Sequence, residues 1–160
     1  MGAVTKRFFI GLVIFAIASL AFLGSMGQKA SASVSWGQEV TEVAKQYQGV
    51  KYKWGGVDPK KGFDASGFTQ YVFDHSAADI KLPRTAMAQY KTGKAVSKKE
   101  LKEGDLVFFN TNGKGVSFAG IYLEKGKFIA VTVSKGVSIQ SMDSKYWKTK
   151  YVGAKRVLKH

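Results

Sequence analysis

The chain of 160 residues has no cysteine, two prolines and two histidines, and its 11 acidic residues are outnumbered by 25 Lys and Arg. Without cysteine it can form no disulfide, no thiolate metal site, no lipid-modified anchor cysteine and no cysteine nucleophile. The length allows one domain, and a hydrophobic fraction of 45% excludes wholesale disorder. The net charge of +14 favours polyanionic partners, namely nucleic acid, anionic lipid or an anionic wall polymer.

Residues 1–32 have the pattern of a secretory signal peptide. Lys6 and Arg7 precede an uncharged, mostly apolar run over residues 8–23, and residues 30–32 (ASA) supply the small-x-small cleavage pattern. Cleavage before Ser33 would leave residues 33–160 as one domain. An uncleaved membrane anchor is the alternative, although the run is shorter than the roughly 20 residues that a span needs.

Removal of this segment leaves 128 residues with a net charge of +11, because residues 1–32 contain three bases and no acid. Export makes nucleic acid an unexpected partner, and no nucleic-acid-binding motif is present. An exported domain without disulfides fits a bacterium. We therefore expect a monomer that is secreted or wall-associated and that contacts anionic wall polymers, unless the lysines serve solubility alone.

The first half of the mature chain predicts helices and the second half predicts strands. Apolar residues at helical spacing run from Trp36 to Tyr47, Asp64 or its neighbour is placed to cap a second helix, and Thr85 to cap a short third one. Five β-rich segments separated by turn residues follow: 105–110, 116–124, 127–134, 137–142 and 152–158. This order predicts an α+β fold with helices packed on an antiparallel sheet of about five strands.

Motifs across the mature chain resemble those of the NlpC-type cell-wall endopeptidases, which are papain-like cysteine peptidases. The matching segments are 52–56 (YKWGG), 63–68 (FDASGF), 82–85 (LPRT), 104–109 (GDLVFF), 119–123 (AGIYL), 128–129 (FI) and 136–137 (GV). Their order and spacing carry the resemblance. It implies the papain-like NlpC-type fold and a substrate class, the stem peptides of peptidoglycan.

The family's reaction uses a cysteine at a helix start, where the helix dipole favours thiolate, a histidine base, and a residue that orients the base. By resemblance these positions hold Ala65, Phe118 and Ala130, none of which can move a proton. The expectation is therefore that the chain is not an enzyme but a degenerate member of the family. Ser66 has no histidine in reach, since His75 lies three turns along the helix and His160 is the last residue.

Other positions of the substrate cleft keep polar residues. The resemblance places Tyr52, Asp64, Ser66 and Arg84 around it, as a polar rim over an apolar floor of Ala65, Phe118 and Ala130. Structural roles are the alternative: Asp64 would cap the helix, Trp54 would fill the core and the neighbouring glycines would serve a turn. No metal or cofactor is expected.

Three functions follow from this pattern. The first is a protein that binds stem peptide or an active wall hydrolase and modulates wall turnover. The second is a protein that binds an apolar ligand or lipid in the remodelled cleft, and the third is a residual, cysteine-independent peptidoglycan hydrolase.

Overall fold

The computed structural model describes residues 33–159, so the predictions for the signal segment and for His160 lie outside the described residues. Within residues 33–159, no helix is long and apolar enough to cross a membrane. This range contains four α-helices, α1 (Trp36–Lys45), α2 (Ala65–His75), α3 (Ala86–Tyr90) and α4 (Lys145–Lys150), and a 3-10 turn at Lys98–Glu100.

Each α-helix begins after a residue whose side-chain oxygen accepts a hydrogen bond from the helix backbone. These N-caps are Ser35, Asp64, Thr85 and Ser144. Such a cap satisfies one of the N–H groups that the first turn leaves without a partner. The predicted capping of the second and third helices is confirmed, whereas α4 was not predicted because its six residues are too few to show a helical repeat.

The strands form a two-stranded hairpin and a six-stranded antiparallel sheet. They are β1 (Val57–Asp58), β2 (Gly62–Phe63), β3 (Lys94–Val96), β4 (Leu106–Phe109), β5 (Phe118–Tyr122), β6 (Lys127–Thr132), β7 (Gly136–Ser141) and β8 (Tyr151–Arg156). The order in the larger sheet is β3-β8-β4-β5-β6-β7. The predicted α+β class is confirmed, with β3 as a strand beyond the five predicted segments.

The two faces of the large sheet bury two hydrophobic clusters. Along β4, Leu106 and Phe108 point into the first cluster, with α1 and α2, while Val107 and Phe109 point into the second, beneath Trp147 of α4. This alternation is the period-two geometry of a strand buried on both sides. The large sheet is thus covered by helices on both faces.

The segment that leads into α2 corrects one prediction. Trp54 does not fill the core, because 86% of its surface is exposed. It lies at the tip of a turn closed by a hydrogen bond from Gly56 N to Lys53 O. Gly55 has a φ of +69°, so the glycine there does serve the turn.

Candidate functional site

The site begins at the first turn of α2, which a close backbone contact fixes in place. The Gly56 carbonyl accepts a hydrogen bond of 3.0 Å from the Asp64 N–H. A Cβ atom added to Gly67 would lie 2.1 Å from that same carbonyl oxygen. Only glycine lets the helix start approach the Gly56 backbone this closely, so the two motifs 52–56 and 63–68 form one structural unit.

Arg84 contacts the start of α2 through a bidentate ion pair with Asp64. Its Nη1 and Nη2 atoms lie 3.0 and 2.6 Å from Oδ1 and Oδ2 of Asp64, and Nη1 also donates to Ser66 Oγ at 3.1 Å. Asp64 Oδ1 in addition accepts from Gly67 N at 2.7 Å. The side chains of Arg84 and Asp64 remain 39% and 20% exposed, so a ligand can reach the pair.

Two side-chain amides hold the segment that carries Arg84. Gln70 of α2 donates to the Leu82 carbonyl at 2.8 Å, and Gln89 of α3 donates to the Pro83 carbonyl at 2.9 Å. Gln89 is fully buried, and it also donates to the Ser66 carbonyl and accepts from Thr69. The backbone just before Arg84 is therefore tied to both helices.

Of the four predicted rim residues, the structure brings Asp64, Ser66 and Arg84 into direct contact. Tyr52 lies beside them along the backbone, since it pairs with Phe63, the residue before Asp64. Its half-buried ring packs against the first cluster. A ligand-binding role for these four residues stays a prediction.

The three positions of the predicted apolar floor lie in two parts of the fold: Ala65 at the start of α2, and Phe118 and Ala130 in the second cluster. Ala65 is the first residue of α2, and α2 packs against β5 and β6, the strands that carry Phe118 and Ala130. Ala130 is fully buried in the second cluster. Phe118 is half-buried, with its ring centroid 4.9 Å from that of Trp147.

Phe118 forms part of the wall of an open cavity of about 550 Å³. Trp147 and Tyr146 of α4 contribute aromatic rings to the same wall, and Gln140 and Lys135 contribute polar groups. Trp147 is held in place by a hydrogen bond from Nε1 to Gln140 Oε1 of 3.2 Å. Phe118 therefore lines a space that a ligand can enter.

His75 lies apart from the Ser66 hydroxyl, as its place three turns along the helix predicted. It ends α2, and its ring stacks on Tyr71 at 3.9 Å. Its Nδ1 atom faces the Tyr71 carbonyl at 2.9 Å. The contacts of His75 are thus with its own helix.

Sequence reasoning missed Gln70 and Gln89, which no motif marks. It also missed the role of the aspartate in the segment 104–109. Asp105 is 1% exposed and accepts two hydrogen bonds of 2.7 Å from Arg156. This contact raises the pKa of the Arg156 guanidinium above its usual value. The pair joins β8 to the start of β4, so this part of the motif has a structural role.

Comparison with known proteins agrees with the fold. A Gamma-DL-glutamyl hydrolase of Bacillus subtilis is 44% identical over 118 residues, covering 73% of this chain and 28% of that protein. The Murein DD-endopeptidase MepH of Escherichia coli is 39% identical over 140 residues, covering 82% of this chain and 51% of that protein. The chain therefore spans about half the length of these relatives or less.

The crystal structure of an NlpC/P60 family protein from Bacillus cereus superposes with a TM-score of 0.71 at 32% identity, covering 77% of this chain and 40% of that one. The names of the relatives overturn the expectation that the chain is not an enzyme, because proteins of 44% and 39% identity are named as hydrolases. That expectation rested on the side chains missing at Ala65, Phe118 and Ala130 and on the absence of a histidine within reach of Ser66.

The family assignment rests on the whole domain rather than on those three positions. Residues 49–156 match the model of the NlpC/P60 family, a span that includes α2, the Arg84 segment and both faces of the large sheet. The chain belongs to the NlpC/P60 family.

Proposed function

We propose that the chain acts on the stem peptides of peptidoglycan outside the cytoplasm, and that it binds them at the cluster of Asp64, Ser66 and Arg84. The observation that carries this proposal is the partly exposed ion pair of Arg84 and Asp64 at the start of α2. Relatives named as a murein endopeptidase and a glutamyl hydrolase support the substrate class.

The cluster offers both signs of charge to a peptide. The Asp64 carboxylate can accept hydrogen bonds from the free amino group of a peptide end. The Arg84 guanidinium and the Ser66 hydroxyl can donate to a carboxylate or carbonyl of the same peptide. A stem peptide carries an amino end and several carboxylates, so its charges complement this site.

Cleavage has to draw on groups other than Ala65, Phe118 and Ala130, whose side chains hold no ionisable group. Ser66 is the hydroxyl beside the nucleophile position, and Arg84 donates a hydrogen bond to its Oγ atom. Ser66 is therefore the residue to replace in a test of cysteine-independent hydrolysis.

Binding is tested by calorimetric titration with a muropeptide that contains L-Ala-γ-D-Glu and has a free amino end. Asp64→Asn keeps an N-capping oxygen but removes the charge. We expect it to weaken binding about 10- to 100-fold, since hydrogen bonds to charged groups contribute about 1.5–3 kcal/mol. Binding of the N-acetylated peptide should not change between the two proteins.

Arg84→Gln tests the other half of the pair, with Lys81→Gln as the matched control. Lys81 lies three residues earlier, is 71% exposed and pairs with Asp74 and Asp79. Only Arg84→Gln should weaken binding. The proposal would be contradicted if Asp64→Asn, Arg84→Gln and Lys81→Gln all bound the muropeptide as tightly as the unaltered chain. It would also be contradicted if the chain captured a wall hydrolase but had no affinity for the peptide.

Hydrolysis is measured on the same muropeptide by mass spectrometry, for the unaltered chain, for Ser66→Ala and for a triple variant with Ala65→Cys, Phe118→His and Ala130→His. Product from the unaltered chain that disappears in Ser66→Ala would identify the serine as essential. Higher activity in the triple variant would confirm the assignment of the three positions, while no gain in a folded triple variant would contradict it.

A second candidate function, binding of an apolar ligand, has support from the cavity beside Phe118 and Trp147. A hydrophobic dye that enters this cavity would change the Trp147 fluorescence. Phe118→Ala, which enlarges the cavity, should alter the dye affinity, and an unchanged affinity would rule out this candidate.

A further inference from the structure

The positive charge of the chain is concentrated in its second half. Residues 33–81 contain six lysines and six acidic residues, so their charges cancel. Residues 82–160 contain 16 Lys and Arg against five acidic residues. The layer of α1 and α2 is therefore neutral, whereas the part of the chain that builds the large sheet, α3 and α4 carries the excess.

One part of this excess collects around α4. Lys145 and Lys148 are exposed, Lys150 is half-buried, and residues 144–160 contain six bases and no acid. Lys98 joins them from the turn after β3, because its Nζ atom lies 3.6 Å from Asp143, just before α4. We call Lys98, Lys145, Lys148 and Lys150 the α4 basic surface.

The charge of this surface is largely free of internal partners. Within residues 33–159, no carboxylate lies within 4.0 Å of the ammonium groups of Lys145, Lys148 or Lys150. In the neutral layer, by contrast, six acidic residues balance the six lysines, and two of these lysines, Lys45 and Lys81, pair directly with acidic neighbours. Unpaired lysines on one side create a positive potential that attracts anions.

The helix that presents these lysines is anchored. Trp147 is only 6% exposed, and its ring lies against Phe109 and Phe128 at centroid distances of 4.9 and 5.2 Å. The Lys150 ammonium lies 5.9 Å from the Tyr146 ring centroid, and Lys98 lies 5.8 Å from that of Tyr151. The three lysines of α4 therefore lie on a helix that aromatic packing fixes to the sheet, and the Lys98 ammonium lies near the ring of Tyr151.

We propose that the α4 basic surface binds a linear polyol-phosphate polymer, the phosphodiester class of anionic wall polymer. Lysine ammonium groups bind phosphates as point charges and need no fixed geometry, which suits a flexible repeating chain. A membrane-binding helix would instead expose an apolar face. In α4 the apolar face is the buried Trp147 side, and Tyr146 alone is an exposed large apolar residue.

This inference goes beyond the proposed peptide site, because it concerns other residues and another ligand. Binding here would hold the domain on the wall polymer while the Asp64 cluster engages stem peptide. The two activities can therefore be tested independently on the same protein.

The experiment uses the full-length chain and purified polyglycerol phosphate, with affinity measured at several salt concentrations. We expect the affinity to fall about 15-fold or more between roughly 50 and 200 mM NaCl, as for three or more phosphate contacts on a flexible chain. A salt-independent affinity, or no binding at low salt, would overturn the proposal.

Two triple variants distinguish binding at the α4 basic surface from a general effect of net charge. The test variant is Lys145→Gln, Lys148→Gln and Lys150→Gln. The control is Lys51→Gln, Lys60→Gln and Lys61→Gln, which removes the same charge from exposed positions of the neutral layer. We expect the affinity of the test variant for polyglycerol phosphate to fall about tenfold or more. The affinity of the control should change by no more than about twofold.

Equal losses in the two variants would overturn the proposal in favour of a simple net-charge effect. Tighter binding to phosphatidylglycerol vesicles than to the polymer would overturn it in favour of a lipid surface. Circular dichroism melting curves establish that both variants fold. Muropeptide affinity should be unchanged in both, so failure here is distinguishable from failure of the peptide site.

Discussion

Replacement of Gln89 by leucine tests whether a buried amide positions Arg84. The change keeps a similar side-chain volume but removes the donor to the Ser66 and Pro83 carbonyls and the acceptor for the Thr69 hydroxyl. Thr69 still donates to the Ser66 carbonyl at 3.0 Å, so its hydroxyl keeps one partner. The Pro83 carbonyl is left without the amide that satisfies it.

The expected cost follows from these contacts. Three hydrogen bonds are lost, two from the amide to the Ser66 and Pro83 carbonyls and one from Thr69, at about 0.5–1.5 kcal/mol for each. We therefore expect the free energy of unfolding to fall by about 2–4 kcal/mol in urea titrations. Muropeptide affinity should fall as well, because the segment 82–84 is released from α3.

Two further variants sharpen this test. Gln48→Leu is the matched control, since Gln48 is exposed and its amide lies 3.4 Å from the Lys45 carbonyl, so its loss should cost under about 0.5 kcal/mol. Gln89→Glu places a carboxylate against the Ser66 and Pro83 carbonyls, which should raise the pKa of its carboxyl group above the unfolded value. Its stability should therefore recover as the pH falls through that raised pKa and decline as the pH rises. A Gln89→Leu protein with unchanged stability and unchanged affinity would refute the positioning role.

Three other predictions concern stability. Arg156→Ala leaves Asp105 charged and buried, so we expect a loss of about 3–5 kcal/mol in the free energy of unfolding; a loss below about 1 kcal/mol would contradict a buried ion pair. Gly67→Ala should destabilise the domain by about 1–3 kcal/mol in urea titrations, because its Cβ would meet a backbone carbonyl at 2.1 Å, whereas Gly55→Ala, with nothing within 4 Å, should cost about 1 kcal/mol through its φ of +69° alone. Hydrogen bonding to Tyr47, with some burial, raises the pKa of Tyr71 from 10.0 to about 12. Its contribution to stability is therefore complete below pH 10 and is lost as the pH rises towards 12, and Tyr71→Phe should abolish that part of the alkaline decline in melting temperature.

Local patterns predicted much of the fold. The caps at Asp64 and Thr85 were predictable, because capping depends on a few consecutive residues. The five β-rich segments were predictable from alternation and turn residues. The strand β3 and the helix α4 were not, since three and six residues are too few for a periodic signal and owe their structure to pairing with β8 and to packing of Trp147.

The candidate site was predictable only in part. Motif order pointed to Asp64, Ser66 and Arg84, and the structure brings these three together. The exposure of Trp54 was not predictable, because a tryptophan beside two glycines fits a core position and a turn tip equally well. The roles of Gln70 and Gln89 were not predictable for a related reason: the residues around a glutamine do not indicate which carbonyl its side-chain amide will bond.

The sequence by itself determined the charge, the absence of cysteine, the helical starts and the strand segments, all of which depend on composition or on neighbours along the chain. The tertiary structure alone decided which residues share the site. Asp64 and Arg84 are 20 positions apart, and their ion pair exists because the Gly56 carbonyl fixes the start of α2 while two glutamine amides hold the segment before Arg84. The same holds for the α4 basic surface, where Lys98 meets Asp143 only through the packing of the large sheet. Contacts between distant residues depend on how buried surfaces fit together, and that information is spread over the whole chain.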